Sequence, residues 1–316
     1  MGFKDLELGK SASKVTNLKA VEVGLTSRCN FNCNYCGAYN RKDKESRMSA
    51  DRVIEIISEL PHLERIRLSG GEVTLLFDDC LKIVKYCTSR GVDSQINTNG
   101  SILNTEQIDM LAKAGLKYMH FSLNHIDPKS HDIYYRMGEG TFRKIIDNIR
   151  HVAMKTSIDA ITETIVFEET IDYFDEIYSF IHDLGVRKLQ IQTPVKQKGW
   201  KSGVPKDKIA QLLEMILAMN QPDSEFYFTC FEIDRAGQFY KNNERLLLQK
   251  SVFFPNCVEG KSQLHLHGNG DIIICDIGKP VLLGNVNGGD SLRDTLSVKS
   301  EELKLHNSHC KCTTYL

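Results

Sequence analysis

The chain has 316 residues, 41% hydrophobic and 26% charged, with 40 Lys+Arg against 41 Asp+Glu. That length and balance exclude a small disulfide-stapled domain and a disordered chain, and no basic excess points to nucleic acid. The unusual number is ten cysteines. The N-terminal stretch carries no apolar signal core, and no run approaches the ~18 apolar residues of a membrane span. The expectation is therefore a cytoplasmic protein whose cysteines hold metal or do chemistry rather than form disulfides.

Residues 20–26 (AVEVGLT) read as a strand, and 49–60 as a helix with Ser49 as N-cap. Strand 65–70 and helix 78–90 follow, the helix stopped by Gly91. Strand 94–100 leads to helix 105–114, with Thr105 as cap and Gly115 as stop. Strand 117–123 and helix 141–154 come next, then strand 158–167 and helix 171–184, ended by Gly185. Strand 188–194 and helix 205–219 complete six β-then-α units. Such a series implies a parallel sheet with right-handed crossovers. No glycine fingerprint follows the first strand, so an α/β fold with a partial (β/α)6 TIM-like barrel fits better than a doubly wound sheet. Chemistry is then expected at the C-terminal strand ends. Past residue 222 the pattern changes to a short strand, 226–231, and glycine- and asparagine-punctuated hairpins. The expected organisation is an extension over 1–19, a partial barrel over 20–222, and a small hairpin-rich unit over 223–316.

Cys29, Cys33 and Cys36 lie just after the first strand at Cys-x3-Cys-x2-Cys spacing. Three such thiolates can grip three corners of an iron–sulfur cube and leave one iron open. A closed zinc site wants a fourth ligand, and none follows at suitable spacing. With Tyr35 before the last cysteine, Ser69-Gly70-Gly71-Glu72 after the second strand, NTNG (97–100) ending the third and SLN (122–124) the fourth, the sequence resembles the radical S-adenosylmethionine (radical SAM) superfamily over roughly residues 20–200.

That resemblance implies a [4Fe–4S] cluster on the three cysteines, with S-adenosylmethionine bound to its open iron. Reductive cleavage would yield a 5′-deoxyadenosyl radical that abstracts hydrogen from an unactivated carbon. Gly70 and Gly71 would let the backbone approach the methionine amino group, with Glu72 beside the ammonium. Asn99, Ser122 and Asn124 end strands where members of the family contact the cofactor, and Arg136 would pair with its carboxylate. Asn99 reads equally as a turn residue before Gly100, and Arg136 as a surface ion-pairing residue.

Cys257, Cys275, Cys310 and Cys312 fall in the C-terminal unit. They resemble the auxiliary-cluster extension of this superfamily, SPASM in full and Twitch when shortened, and imply a second [4Fe–4S] cluster. The terminal pair departs from the family's Cys-x2-Cys by being Cys-x-Cys, and a zinc ribbon on the same four cysteines is the alternative. Cys80 and Cys87, seven apart on a helix, read as buried small hydrophobes. Cys230 reads as a core cysteine or as a hydrogen-atom donor of the kind some radical SAM epimerases use. His265 and His267 alternate on a strand and either flank the auxiliary cluster or are packed or solvated; in the loop after the sixth strand Trp200 either stacks on substrate or packs the rim, and Lys196, Lys198 and Lys201 either attract an anionic substrate or form a solvated face.

The expected activity is dehydrogenation or epimerisation of a biosynthetic small molecule, with flavodoxin or ferredoxin as electron donor and no nucleic acid or membrane partner. SLNHIDP resembles the enzyme that starts molybdopterin synthesis, but that enzyme's second cluster has three differently spaced cysteines and its Gly-Gly tail is missing here. The alternative is a maturase of a ribosomally made peptide. Only 28 residues precede Cys29, too few for the peptide-recognition domain such maturases often carry. The remote alternative is a non-catalytic iron–sulfur or zinc protein.

Overall fold

The computed structural model describes residues 18–33, 36, 45–135, 140–194, 204–219, 223–229, 233–254, 262–274, 281–288, 291–292 and 295. Strand β1 (Ala20–Thr26) is followed by α1 (Ala50–Ser58), whose first turn is capped by the Ser49 hydroxyl accepting from the Arg52 amide. Its Val53, Ile56 and Ile57 repeat at helical spacing and are buried. Next come β2 (Arg65–Gly70), a 3₁₀ turn (Val73–Leu76), α2 (Phe77–Ser89) and β3 (Asp93–Thr98). Helix α3 (Thr105–Ala114) is capped by Asn104 rather than Thr105. Asn104 and Gln107 form a reciprocal capping box that a threonine one residue later cannot make, and Gly115 closes the helix in the left-handed region.

Then follow β4 (Tyr118–Ser122), α4 (Pro128–Tyr135), α5 (Thr141–Lys155) and β5 (Asp159–Ile165). The helix expected over 171–184 is two pieces, α6 (Glu168–Ile171) and α7 (Phe174–Asp183). After β6 (Lys188–Gln192) and α8 (Lys206–Ala218), the parallel series continues through β7 (Glu225–Phe228), α9 (Ile233–Gln249) and the short β8 (Val252–Phe253). Strands β9 (Gln263–His267), β10 (Asp271–Ile274) and β11 (Val281–Asn285) end the series.

All these strands form one sheet, ordered β11-β10-β9-β1-β2-β3-β4-β5-β6-β7-β8. Every pairing from β1 to β8 is parallel. Strand β9 joins the other side of β1, also parallel, and β10 and β11 add on antiparallel. The C-terminal strands thus extend the same sheet, and β7 and β8 extend it past the six expected units.

One sheet face packs on the helices through Val21, Val23, Ile66, Leu68, Ile96, Phe121, Leu189 and Ile191, all buried. Each such side chain contributes about 1.5–3 kcal/mol by leaving water. The sheet curls around its other face. Arg67 on β2 reaches within 3.9 Å of Glu163 on β5, three strand positions apart, which a flat sheet spaced about 4.8 Å per strand would not allow. Among the described residues no helix is long and apolar enough to cross a membrane.

Candidate active site

The C-terminal ends of β1, β2 and β3 meet at the cysteine loop. Cys29 is exposed, and Cys33 and Cys36 are half-buried. Between them Phe31 turns inward against Tyr135, with ring centroids 5.3 Å apart, and His131, at 6.4 Å. The Asn32 amide donates to the Tyr135 carbonyl at 3.3 Å. Helix α4 is therefore the outer wall that fixes this loop. The Phe31 amide donates to Cys29 Sγ at 3.3 Å, and the Cys36 amide to the Cys33 carbonyl at 3.3 Å.

Gly70 and Gly71 let β2 pass directly beneath this loop. The Gly71 amide donates to the Thr26 carbonyl at 2.6 Å and the Glu72 amide to the Arg28 carbonyl at 2.7 Å. A Cβ on Gly70 would lie 2.3 Å from Thr26 O, and one on Gly71 only 1.9 Å from Arg28 O. Gly70 also stands at φ +125°, where an L side chain is strained. The glycines thus also admit the protein's own backbone.

Glu72 is buried and faces inward. Its Oε1 accepts from the Thr74 amide (3.1 Å), the Thr74 hydroxyl (2.5 Å) and the Thr98 hydroxyl (2.8 Å), and Oε2 from the Asn99 amide (2.7 Å). Burial raises its pKa, and these four bonds offset that only in part. These bonds tie the ends of β2 and β3 together through Glu72.

Asn99 holds the cysteine loop from β3, its amide nitrogen donating to Asn30 Oδ1 at 2.9 Å and its oxygen accepting from Ser101. Asn124 is buried and accepts the Ile165 amide at 2.8 Å, joining the ends of β4 and β5. Ser122, the last residue of β4, is half-buried, its carbonyl accepting from the Tyr135 hydroxyl at 3.4 Å. Ser69 donates to Glu22 Oε1 at 2.6 Å. Cys80 and Cys87 are buried in the core, as expected of small hydrophobes. Tyr35, Arg136, Cys230, Cys257, Cys275, Cys310, Cys312, Lys196, Lys198, Trp200 and Lys201 lie outside the described residues.

The concave face carries a polar layer that the motif reading missed. His120 Nδ1 donates to Glu163 Oε1 at 2.8 Å, and Asn97 Nδ2 donates to the same oxygen at 3.1 Å. Burial lowers the His120 pKa. For Glu163, burial works upward, but His120, Arg67 and Asn97 outweigh it and hold the carboxyl below its usual range. The pair is thus a neutral imidazole donating to a carboxylate. Arg67 lies 3.4 Å from Glu22, and His265 Nδ1 lies 3.8 Å from the same carboxylate. His265 therefore faces β1, while His267 is half-buried and registers with Gly24. The signal was present in VEV, IRLS, QIN, HFS and QIQ: parallel strands covered on both faces are usually continuous apolar runs, and these alternate.

The residues present fit an iron–sulfur cluster. Cys29 is open at its surface, yet the protein packed around its sulfur pushes the thiol up to about 11, with Glu72 and Cys36 adding negative potential. The donor set is three cysteine sulfurs on one loop at the C-terminal end of β1, the soft ligands that an iron–sulfur cluster takes. Among the described residues no three Cys, His, Asp or Glu side chains converge as on a single ion; a cube instead spreads its thiolates over separate iron corners.

The family model of the radical SAM superfamily matches residues 23–181, half of the chain. The chain belongs to the radical SAM superfamily. Radical SAM proteins are enzymes that bind a [4Fe–4S] cluster and S-adenosylmethionine, and the α/β fold with its largely parallel sheet is theirs. Among its relatives, a probable GTP 3′,8-cyclase of Pyrococcus abyssi is 34% identical over 120 residues, 37% of each chain. The GTP 3′,8-cyclase of Aquifex aeolicus is 24% identical over 271 residues, 82% of each. The crystal structure of Streptococcus suis SuiB bound to S-adenosylmethionine superposes with a TM-score of 0.71 at 16% identity, over 89% of this chain and 66% of SuiB. SuiB has also been solved bound to its precursor peptide SuiA. The chain thus spans little more than a third of the Pyrococcus relative and about two thirds of SuiB.

Proposed function

We propose that Cys29, Cys33 and Cys36 hold the radical SAM cluster, and that the enzyme abstracts a hydrogen atom from an unactivated carbon of a biosynthetic small molecule, in a dehydrogenation or an epimerisation. The observation that carries this is the clamp on the cysteine loop: Gly71 binds the end of β1 at Thr26, Glu72 binds the loop backbone at Arg28, and Asn99 binds Asn30 from the side. When bound, the cluster and S-adenosylmethionine supply a 5′-deoxyadenosyl radical. The protein's part is to orient both and exclude water. Tyr35, Ser69, Gly70, Gly71, Glu72, Asn99, Ser122, Asn124 and Arg136 are the residues assigned to the cofactor's surroundings.

The domain reading of 1–19, 20–222 and 223–316 belongs to the same proposal. Cys257, Cys275, Cys310 and Cys312 are assigned to a second [4Fe–4S] cluster of Twitch/SPASM type, and Cys230 to hydrogen-atom donation in an epimerisation. Flavodoxin or ferredoxin supplies electrons in the cytoplasm. The sequence likeness to the GTP 3′,8-cyclases supports a small-molecule substrate.

The test is iron and sulfide analysis after anaerobic reconstitution. The expected result is roughly eight irons in the wild type and roughly four after Cys29, Cys33 and Cys36 are all changed to alanine. Equal iron in both would overturn the ligand assignment.

A further inference from the structure

Gln190 stands at the centre of β6, fully buried, and neither its amide oxygen nor its amide nitrogen has a hydrogen-bond partner. Thr229, one residue past β7, is also fully buried, and its hydroxyl has none. The Thr229 amide donates to the Ile191 carbonyl at 3.0 Å, which fixes it beside β6. Strand alternation puts both side chains on the concave face, because Leu189, Ile191, Phe226 and Phe228 belong to the apolar core on the other. Buried polar groups in native proteins are almost always satisfied. Two on adjacent strands, facing one space, point to a partner that the chain itself does not supply.

The chemistry of that partner follows from what surrounds them. Gln190 registers with Glu163 on β5 and Tyr227 on β7. Glu163 is already engaged by His120 and Asn97, with Arg67 nearby. Tyr227 donates to Glu225. Arg67 is shared by the Glu22 and Glu163 carboxylates, and the valences left over at Gln190 and Thr229 are neutral: an amide and a hydroxyl, each able to donate and accept. A carboxylate or phosphate placed there would lose its hydration beside carboxylates, and an ammonium would meet a Glu163 whose Oε1 is already engaged by His120 and Asn97. Solvent reaches Glu163 and the half-buried Asn97, Ser122 and Gln192 on the same face, so the space opens toward the strand ends that carry the cysteine loop.

We infer that Gln190 and Thr229 bind a neutral part of the substrate that carries a donor beside an acceptor, either an amide edge or a pair of vicinal hydroxyls. This rests on the concave face being the substrate side of the proposed enzyme. The competing occupant is ordered water.

The test uses the reconstituted holoenzyme labelled with ¹⁵N at glutamine. The Gln190 side-chain signals are assigned by their loss in Gln190→Met, with Gln190→Leu as a second variant should the first not fold. Acetamide, ethylene glycol, acetate and methylammonium are titrated separately. Saturable movement of the Gln190 signals by acetamide identifies an amide site, and by ethylene glycol a diol site; either supports the inference. Thr229→Val should weaken that response about fivefold. No response to either neutral probe, or an equal or larger response to a charged one, overturns it. Substrate-free cleavage of S-adenosylmethionine by the same sample does not involve Gln190. Its absence counts against the proposed enzyme, whereas intact cleavage with an unresponsive Gln190 sinks this inference alone.

Discussion

Asn99 and Asn30, 69 residues apart in sequence, are joined by a 2.9 Å hydrogen bond from Asn99 Nδ2 to Asn30 Oδ1. Asn30 in turn donates to the Ser101 hydroxyl at 2.9 Å, and that hydroxyl donates back to Asn99 Oδ1 at 2.7 Å. The ring locks the residue next to Cys29 onto the end of β3. The Asn99 side chain also stands near enough to Cys29 to draw its thiol pKa downward.

A donor aimed at a cluster sulfur favours the more negative, reduced state. Asn99→Ala should therefore lower the reduction potential of the radical SAM cluster by tens of millivolts. Potentiometric titration followed by EPR reads this directly. An unchanged potential would mean that Asn99 only braces the loop.

Gly71→Ala should be far more damaging than an ordinary glycine substitution. Its methyl would meet the Arg28 carbonyl at 1.9 Å, whereas nothing lies within 4 Å of a Cβ on Gly91. Gly91→Ala, at φ +67°, should cost about 1 kcal/mol. Gly71→Ala must displace the cysteine loop and should lose both thermal stability and retained iron. Equal melting temperatures for the two variants would contradict the clamp.

Glu72→Gln tests the tie between β2 and β3. Whichever way the new amide turns, its NH₂ faces a backbone donor, Thr74 or Asn99. The expected destabilisation is about 1.5–3 kcal/mol, since a buried charge-assisted hydrogen bond is lost. Denaturant melts of the two proteins check it.

His125 gives the fold a pH dependence. It is buried against Phe167, the rings nearly parallel with centroids 6.0 Å apart, and burial lowers its pKa to about 4. Between that value and the ordinary ~6.5 of an unfolded histidine, only the unfolded chain takes up the proton. The stabilisation is therefore complete above about pH 6.5 and is lost as pH falls towards 4. His125→Gln should flatten the stability profile in that window, measured by thermal melts across it.

Much of the frame was legible because strand alternation and helix caps are local signals. The first six strands lie within one or two residues of their sequence positions, and Ser49, Gly115 and Gly185 end helices as read. Helix α4 escaped notice because its residues, PKSHDIYY, show little amphipathic pattern, yet its Tyr135 anchors Phe31 of the cysteine loop. Helix α9 was missed for a related reason: its sequence, IDRAGQFYKNNERLLLQ, is dominated by polar residues. The Cys-x3-Cys-x2-Cys loop and the paired glycines were plain, since their spacing is itself the chemistry. The Arg67–Glu163 and His120–Glu163 contacts were not, because which polar side chains meet depends on how far the sheet curls.

The most direct measurement is 5′-deoxyadenosine formation from S-adenosylmethionine and dithionite by the anaerobically reconstituted protein. The wild type should form it, and the triple alanine variant of Cys29, Cys33 and Cys36 should not. Tight zinc binding with no 5′-deoxyadenosine from the wild type would contradict the assignment of these three cysteines to a radical SAM cluster.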